Sequence, residues 1–244
     1  MKKSLTILLI FVLAIVGVFL YKGHLEAPPV IPSTSTSAKT QQSTPQPAGF
    51  DKNKYSHDDP ASMWTVVNKT RPLNPKDYAP SDLVSIGGQQ IRKEAASALT
   101  KLIADAKTAG LNISPLSGYR SYQTQVSVYN KEVATYGQAT ADTESARPGT
   151  SEHQTGWAVD VGGGGCGIED CFGTTAEGKW LATNAYKYGF IIRYTSQKQQ
   201  ITGYRAEPWH IRYIGTELSN EMKKQGVTTL EEFFGLPAAP DYLN

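Results

Sequence analysis

Two short clusters hold the side chains best suited to metal chemistry. The first, SEHQTGWAVD at 151–160, carries His153 and Asp160 seven residues apart, with Gly156 and Ala158 between them. The second, EPWH at 207–210, places Glu207 three residues before His210. The chain has four histidines; His24 and His57 lie outside both clusters. Two imidazoles and one carboxylate make a three-ligand set, and with water in the fourth position that is the composition of a catalytic zinc site rather than a closed structural one. Such a set leaves Zn2+ net positive, which draws the pKa of bound water toward neutrality. Glu207 is then the candidate general base. No H-E-x-x-H helix is present, which excludes the thermolysin-like arrangement. Spacing alone also fits the bland alternative, since a histidine near an aspartate is commonly an ordinary core or surface residue.

A scaffold must bring 153–160 and 207–210 together. WAVDV (157–161), FIIRY (190–194) and WHIRYI (209–214) read as strands, and NISPLSGYR (112–120) as strand and turn. Trp64–Val67 predicts one more short strand, and GGGG (162–165) a loop. From Gln90 to Gly110, Ile91, Ala95, Leu99, Leu102, Ile103 and Ala106 recur at helical spacing, with Gly110 as C-cap. A second helix aligns Tyr122, Val126, Tyr129, Val133 and Tyr136 in one stripe, read as core packing, and Gly137 ends it. A third, over about 175–188, presents Trp180, Leu181, Ala185 and Tyr188 and stops at Gly189. Thr229 and Glu232 form a capping box for a short final helix. The irregular alternation of helices with short strands predicts an α+β fold: a small antiparallel sheet with helices packed around it, not a doubly wound α/β sheet.

The 244 residues are 39% apolar, enough for a sizeable core, and carry a net charge of +2. No basic block exists that could neutralise many phosphates, so nucleic acid is excluded as a partner. Lys2 and Lys3 precede an apolar run from Leu5 to Tyr21. Residues 1–22 therefore read as a signal peptide or membrane anchor. The stretch 27–48, rich in Pro, Ser, Thr and Gln, cannot bury enough apolar area to offset its ordering entropy. Residues 23–49 are thus a flexible linker and 50–244 the folded domain, expected outside the cytoplasm in the cell envelope as a monomer. In that compartment a local disulfide is the default for Cys166 and Cys171 of CGIEDC; two thiols of a zinc site lacking its second pair are the alternative.

Ser151-x-His153-x(6)-Asp160 followed by Glu207-x-x-His210 resembles the pattern of the zinc D-Ala carboxypeptidases of the VanY and LdcB kind, a group related in fold to the Hedgehog signalling domain. SGYRSYQTQ (117–125), ARPGTSEHQTG (146–156) and the segments at 189–194 and 201–215 extend the resemblance, which covers about residues 60–220. It implies that His153, Asp160 and His210 hold Zn2+ and that Glu207 is the base. It also implies that Arg120 steadies an oxyanion or a substrate carboxylate, that Gln125 and Ser151 contact substrate, and that Tyr194 lines the pocket. The implied activity is D-alanyl-D-alanine carboxypeptidase, removing C-terminal D-Ala from peptidoglycan stem peptides. An L,D-carboxypeptidase acting on tetrapeptide stems shares the same zinc residues. A cross-link-cutting endopeptidase and a non-catalytic cell-wall-binding module are further alternatives, the last disfavoured by the complete ligand-and-base set. VGGGGCGIEDCFGTT (161–175) departs from the pattern and would reshape the pocket rim.

Overall fold

The computed structural model describes residues 49–243. The membrane segment expected over 1–22, and the linker expected over 23–49 except Gly49, lie outside the described residues. Among the described residues no helix is long and apolar enough to cross a membrane.

A Gly-Gly pair opens the regular structure. Strands β1 (Leu83–Ile86) and β2 (Gln89–Arg92) pair antiparallel across Gly87 and Gly88, whose φ angles are 56° and 82°. A two-residue turn with both central residues at positive φ matches the twist of the flanking strands. The hairpin claims Gln90–Arg92, so helix α1 (Lys93–Thr108) starts three residues later than apolar spacing predicts. Its buried face is Ala95, Ala96, Leu99, Leu102 and Ala106.

The central sheet is antiparallel and four-stranded, in the order β3-β4-β6-β5, from β3 (Ser114–Ser117), β4 (Ala158–Gly162), β5 (Phe190–Tyr194) and β6 (Glu207–Tyr213). One face carries Val159, Val161, Trp209, Ile211 and Tyr213 into a core completed by α1 and by Leu181 of helix α4 (Ala176–Asn184). Burying each such leucine contributes about 1.5–3 kcal/mol. Strand alternation then turns Asp160, His210 and Arg212 to the opposite face. A second apolar cluster joins Trp64 and Val66 to helices α6 (Gly215–Gln225) and α7 (Leu230–Phe234), which follow the one-turn helix α5 (Gln199–Thr202). Thr229 caps α7 by accepting the Glu232 amide at 3.2 Å, and its hydroxyl donates to the Glu232 carboxylate at 2.7 Å.

Three expectations are corrected. Trp64–Val67 forms no strand. Its backbone groups are taken by side chains and loops: the Met63 and Thr65 carbonyls accept from Arg212 Nη2 at 3.0 and 2.8 Å, the Val66 carbonyl from Arg71 Nε, and the Val66 amide donates to the His57 carbonyl. The aromatic stripe of helix α2 (Tyr122–Tyr136) does not enter the core. Gln125 is its one buried residue, Tyr136 is 60% exposed, and Tyr129 donates to Asp142 of helix α3 (Gln138–Glu144). The helix lies against α3 at the rim of the molecule, where tyrosines keep a wet edge. Lastly, Gly162 continues β4, and the turn falls at Gly164 and Gly165 between the bridged Gly163 and Cys166. A Cβ on Gly162 would meet Cys166 O at 2.9 Å, so the missing side chain permits this close return.

Candidate active site

Strand register assembles the site. Asp160 of β4 lies directly opposite His210 of β6, and Ser117 of β3 pairs on the other side of Asp160. Glu207 and His210 are three apart, so strict alternation would send them to opposite faces. A register shift between Ile192 and Tyr194 interrupts the β5–β6 ladder there and places Tyr194 opposite Glu207. Such irregularities re-aim side chains; Glu207 Oε2 comes to 3.7 Å from His210 Nδ1.

His153 arrives from a single 3-10 turn, Glu152–Thr155, closed by Gly156 at φ 71°. A Cβ at Gly156 would sit 2.8 Å from Arg92 Cγ, so glycine is required by both conformation and space. The GYR segment docks on this turn: His153 Nδ1 donates to the Gly118 carbonyl at 2.7 Å, and the Arg120 amide donates to the His153 carbonyl at 3.3 Å.

One nitrogen of each histidine and one oxygen of Asp160 converge, all within 4.8 Å of one another. His153 Nε2 stands 3.2 Å from Asp160 Oδ2, and His210 Nδ1 stands 3.1 Å from Asp160 Oδ1. The other nitrogens are committed. His153 Nδ1 must carry a hydrogen because a carbonyl only accepts, and His210 Nε2 faces the Glu152 carboxylate at 3.2 Å. In the neutral tautomers, His153 Nε2, His210 Nδ1 and Asp160 therefore point lone pairs at one another, an arrangement that a cation resolves. Two neutral nitrogens and a carboxylate oxygen suit Zn2+. The titration behaviour agrees. Burial opposes ionisation of Asp160, but His153 and His210 outweigh it and hold the carboxyl well below the usual range. Burial and Arg120 push His153 down, keeping Nε2 unprotonated. Burial also opposes charge on His210, yet hydrogen bonds to Asp160 and Glu152 raise it to about 9, so this centre attracts positive charge.

Around the three donors lies a cavity of about 260 Å³, lined also by Arg120, Gln125, Ser151, Tyr194 and Glu207. Arg120 Nη1 donates to Gln125 Oε1 at 3.0 Å, and Gln125 Nε2 donates onward to the Ala146 carbonyl at 2.7 Å. Arg120 Nη2 is 3.6 Å from Asp160 Oδ2, and Nε has no hydrogen-bond partner among the described residues. The Tyr194 ring lies tilted by 43° to the His210 ring, with their centroids 4.9 Å apart. Burial raises Glu207 to about 7, with Asp160 adding to the shift and His210 opposing it; a carboxyl titrating there can both take and return a proton near neutrality. A larger hollow of about 650 Å³ shares Tyr194 and Arg205 with this cavity but has a mostly apolar wall and lacks the donor cluster.

The sequence-predicted residues thus meet in one cavity, apart from the cysteines. Cys166 and Cys171 form a disulfide beside it, closing a loop whose Ile168 lines the rim. Asp170 of the same segment pairs with Arg205 at 2.8 Å, tying the loop to the residue two before Glu207. Sequence reasoning missed Glu152, Arg193, Arg212 and Glu231, all fully buried. The available signal was the pair of arginines inside the apolar strands FIIRY and WHIRYI, since buried charges require partners.

The family model described as "VanY: D-alanyl-D-alanine carboxypeptidase" matches residues 88–216. The Bacillus subtilis (strain 168) protein YodJ, a carboxypeptidase by name, is 44% identical over 187 residues, 72% of this chain and 68% of that protein. Among solved structures, the LdcB LD-carboxypeptidase is similar at 43% identity and a TM-score of 0.67, covering 72% of this chain and 87% of that one. A mutant of the vancomycin-resistance D,D-pentapeptidase VanY, in complex with Zn(II), is similar at 34% identity and a TM-score of 0.62, covering 71% and 98%.

Proposed function

The chain belongs to the VanY D-alanyl-D-alanine carboxypeptidase family and is a zinc peptidase; from that premise we propose that its cavity removes the terminal D-alanine of peptidoglycan stem peptides, as a D-alanyl-D-alanine carboxypeptidase. His153, Asp160 and His210 are the zinc ligands in this reading, and Glu207 is the base. The observation that carries it is the convergence of three lone-pair donors within 4.8 Å, beside a buried carboxyl that titrates near neutrality.

Zn2+, when held there, supplies a Lewis acid for the scissile carbonyl and a charge that acidifies water. Glu207 takes the proton of the attacking water and later returns it to the departing D-alanine nitrogen. Its burial keeps the proton affinity high enough for the second step. Arg120, held by Gln125, presents a planar fork to the oxyanion or to the substrate carboxylate. Ser151 and Tyr194 face the peptide from opposite elements, the turn before β4 and the end of β5. In the same reading, residues 1–22 export or anchor the chain, 23–49 link it, and 50–244 act as a monomeric domain in the cell envelope on stem peptides.

A second reading, L,D-carboxypeptidase action on tetrapeptide stems, is favoured by the higher identity to LdcB, 43%, than to the D,D-pentapeptidase VanY, 34%. Incubating the enzyme with pentapeptide and tetrapeptide stems separates the two. The D,D reading expects D-alanine from the pentapeptide, lost with chelator and restored by zinc. Release from the tetrapeptide alone selects L,D specificity, and chelator-insensitive release from either defeats the zinc mechanism.

A further inference from the structure

We propose that Glu152 is a positioning residue of the metal site: gripped by two buried arginines through one carboxylate oxygen, it uses the other to fix the His210 ring with Nδ1 toward the ligand cluster. The inference rests on the reading that His210 is a zinc ligand.

The two oxygens of Glu152 are divided between two tasks. Oε1 accepts from Arg193 Nε at 2.8 Å and from Arg212 Nη1 at 2.7 Å. Oε2 lies 3.2 Å from His210 Nε2. All three charged side chains are completely excluded from solvent. The arginines are themselves anchored away from the site. Arg193 Nη2 donates to Glu231 Oε1 on α7 at 2.7 Å, and that oxygen also accepts from Asn68 Nδ2 at 2.8 Å. Arg212 donates to the carbonyls of Met63, Thr65 and Tyr213. Two arginines and two glutamates balance in charge, which is what buried ions require.

Charge balance alone leaves the second oxygen of Glu152 unexplained. A carboxylate serving only the arginines could turn both oxygens to them, as the two-oxygen fork geometry of such pairs favours. Here one oxygen is spent on the imidazole instead. Because an ionised carboxylate only accepts, this contact fixes the hydrogen on Nε2 and leaves the Nδ1 lone pair facing Asp160. A carboxylate behind a ligating histidine orients the ring and raises its basicity. His153 receives the same service from the Gly118 carbonyl at 2.7 Å. Glu152 is also the chain neighbour of His153, so one backbone turn carries one ligand and the support of the other.

The test compares zinc affinity, by competition with a chromophoric chelator, in the full chain and in its Glu152→Gln and Glu231→Gln variants, alongside thermal unfolding of the metal-free forms. Glu231 belongs to the same ion cluster but does not reach His210. Glu152→Gln is expected to bind zinc about 10–100-fold more weakly, while Glu231→Gln lowers the unfolding temperature yet stays within about threefold of the parent affinity, a change too small to reflect a lost ligand support. An unchanged affinity in Glu152→Gln, or an equal loss in both variants, overturns the inference. A nitrogen-15 histidine spectrum of the zinc-loaded parent protein supplies a check needing no folded variant: His210 must be protonated at Nε2, and protonation at Nδ1 overturns the inference. If the parent itself binds no zinc, the ligand reading fails and this inference with it; if the parent binds and Glu152→Gln matches it, only the role of Glu152 fails.

Discussion

Replacing Glu207 by glutamine sets the cost of the base against its use. In the fold the Glu207 carboxyl titrates at about 7, against an ordinary 4.5. Between those values the folded metal-free protein keeps a proton that the unfolded chain has released. Its stability therefore falls as pH rises from 4.5 through 7 and levels off above. The difference of 7 − 4.5 = 2.5 pKa units, at about 1.4 kcal/mol each, comes to about 3 kcal/mol. The side chain is 13% exposed, so residual solvation trims this toward about 2 kcal/mol. Glutamine carries no ionisation cost. Metal-free Glu207→Gln should therefore unfold roughly 4–8 °C above the metal-free parent at pH 8, with about 2–4 °C per kcal/mol for a domain of this size. The gap should close at pH 4, where the parent carboxyl is protonated in both states. The zinc-loaded variant should meanwhile lose about 10²–10⁴-fold in D-alanine release, which is about 3–5 kcal/mol of barrier. Calorimetry in chelator across pH and chromatographic product analysis measure the two halves. No stabilisation at pH 8, or the same stabilisation at pH 4, refutes a desolvated ionised carboxyl. Release within tenfold of the parent refutes the base.

Arg120→Lys keeps a positive charge but loses the fork that Gln125 Oε1 holds at 3.0 Å; kcat/KM should fall about 100-fold or more, with zinc content unchanged by elemental analysis. Gly178→Ala reverses the usual helix preference for alanine: its Cβ would lie 2.0 Å from the Phe172 carbonyl oxygen, so chemical denaturation should show a loss of at least about 1–3 kcal/mol rather than a gain. Replacing Cys166 and Cys171 together by serine removes a short loop closure worth about 2 kcal/mol; calorimetry should show that loss, and steady-state kinetics a raised KM with little change in zinc affinity, because the loop supplies Ile168 to the rim but no ligand.

The parts of the fold legible in the sequence are those whose side-chain period reports burial. β5 followed that period. The helix expected over about 175–188 is α4 only to Asn184 and then tightens into a 3-10 turn, Ala185–Tyr188, before Gly189. β4 ended one residue later than expected, at Gly162, where a Cβ would meet Leu116 Cδ1 at 2.6 Å and Cys166 O at 2.9 Å. The β1–β2 hairpin escaped because LVSI and QQIR contain too little alternation; its one strong signal, Gly87-Gly88, lies inside a polar stretch. The tyrosines of α2 misled in the opposite sense, since helical spacing marks a shared face but not what covers it. At the site, residue types and spacing pointed to His153, Asp160, Glu207 and His210, but not to their convergence, which depends on the Asp160–His210 register and the shift near Tyr194. Glu152 was hidden for another reason. An acidic residue between Ser151 and His153 reads as an exposed polar position, and only the tertiary fold brings Arg193 and Arg212 to its carboxylate.

The most direct measurement is anomalous diffraction at the zinc edge from crystals of the zinc-loaded protein. One peak per chain is expected, at about 2.0–2.2 Å from His153 Nε2, an Asp160 oxygen and His210 Nδ1. A peak at any other cluster, or no ordered peak from protein that still releases D-alanine, would contradict the assignment of these three side chains as the catalytic centre.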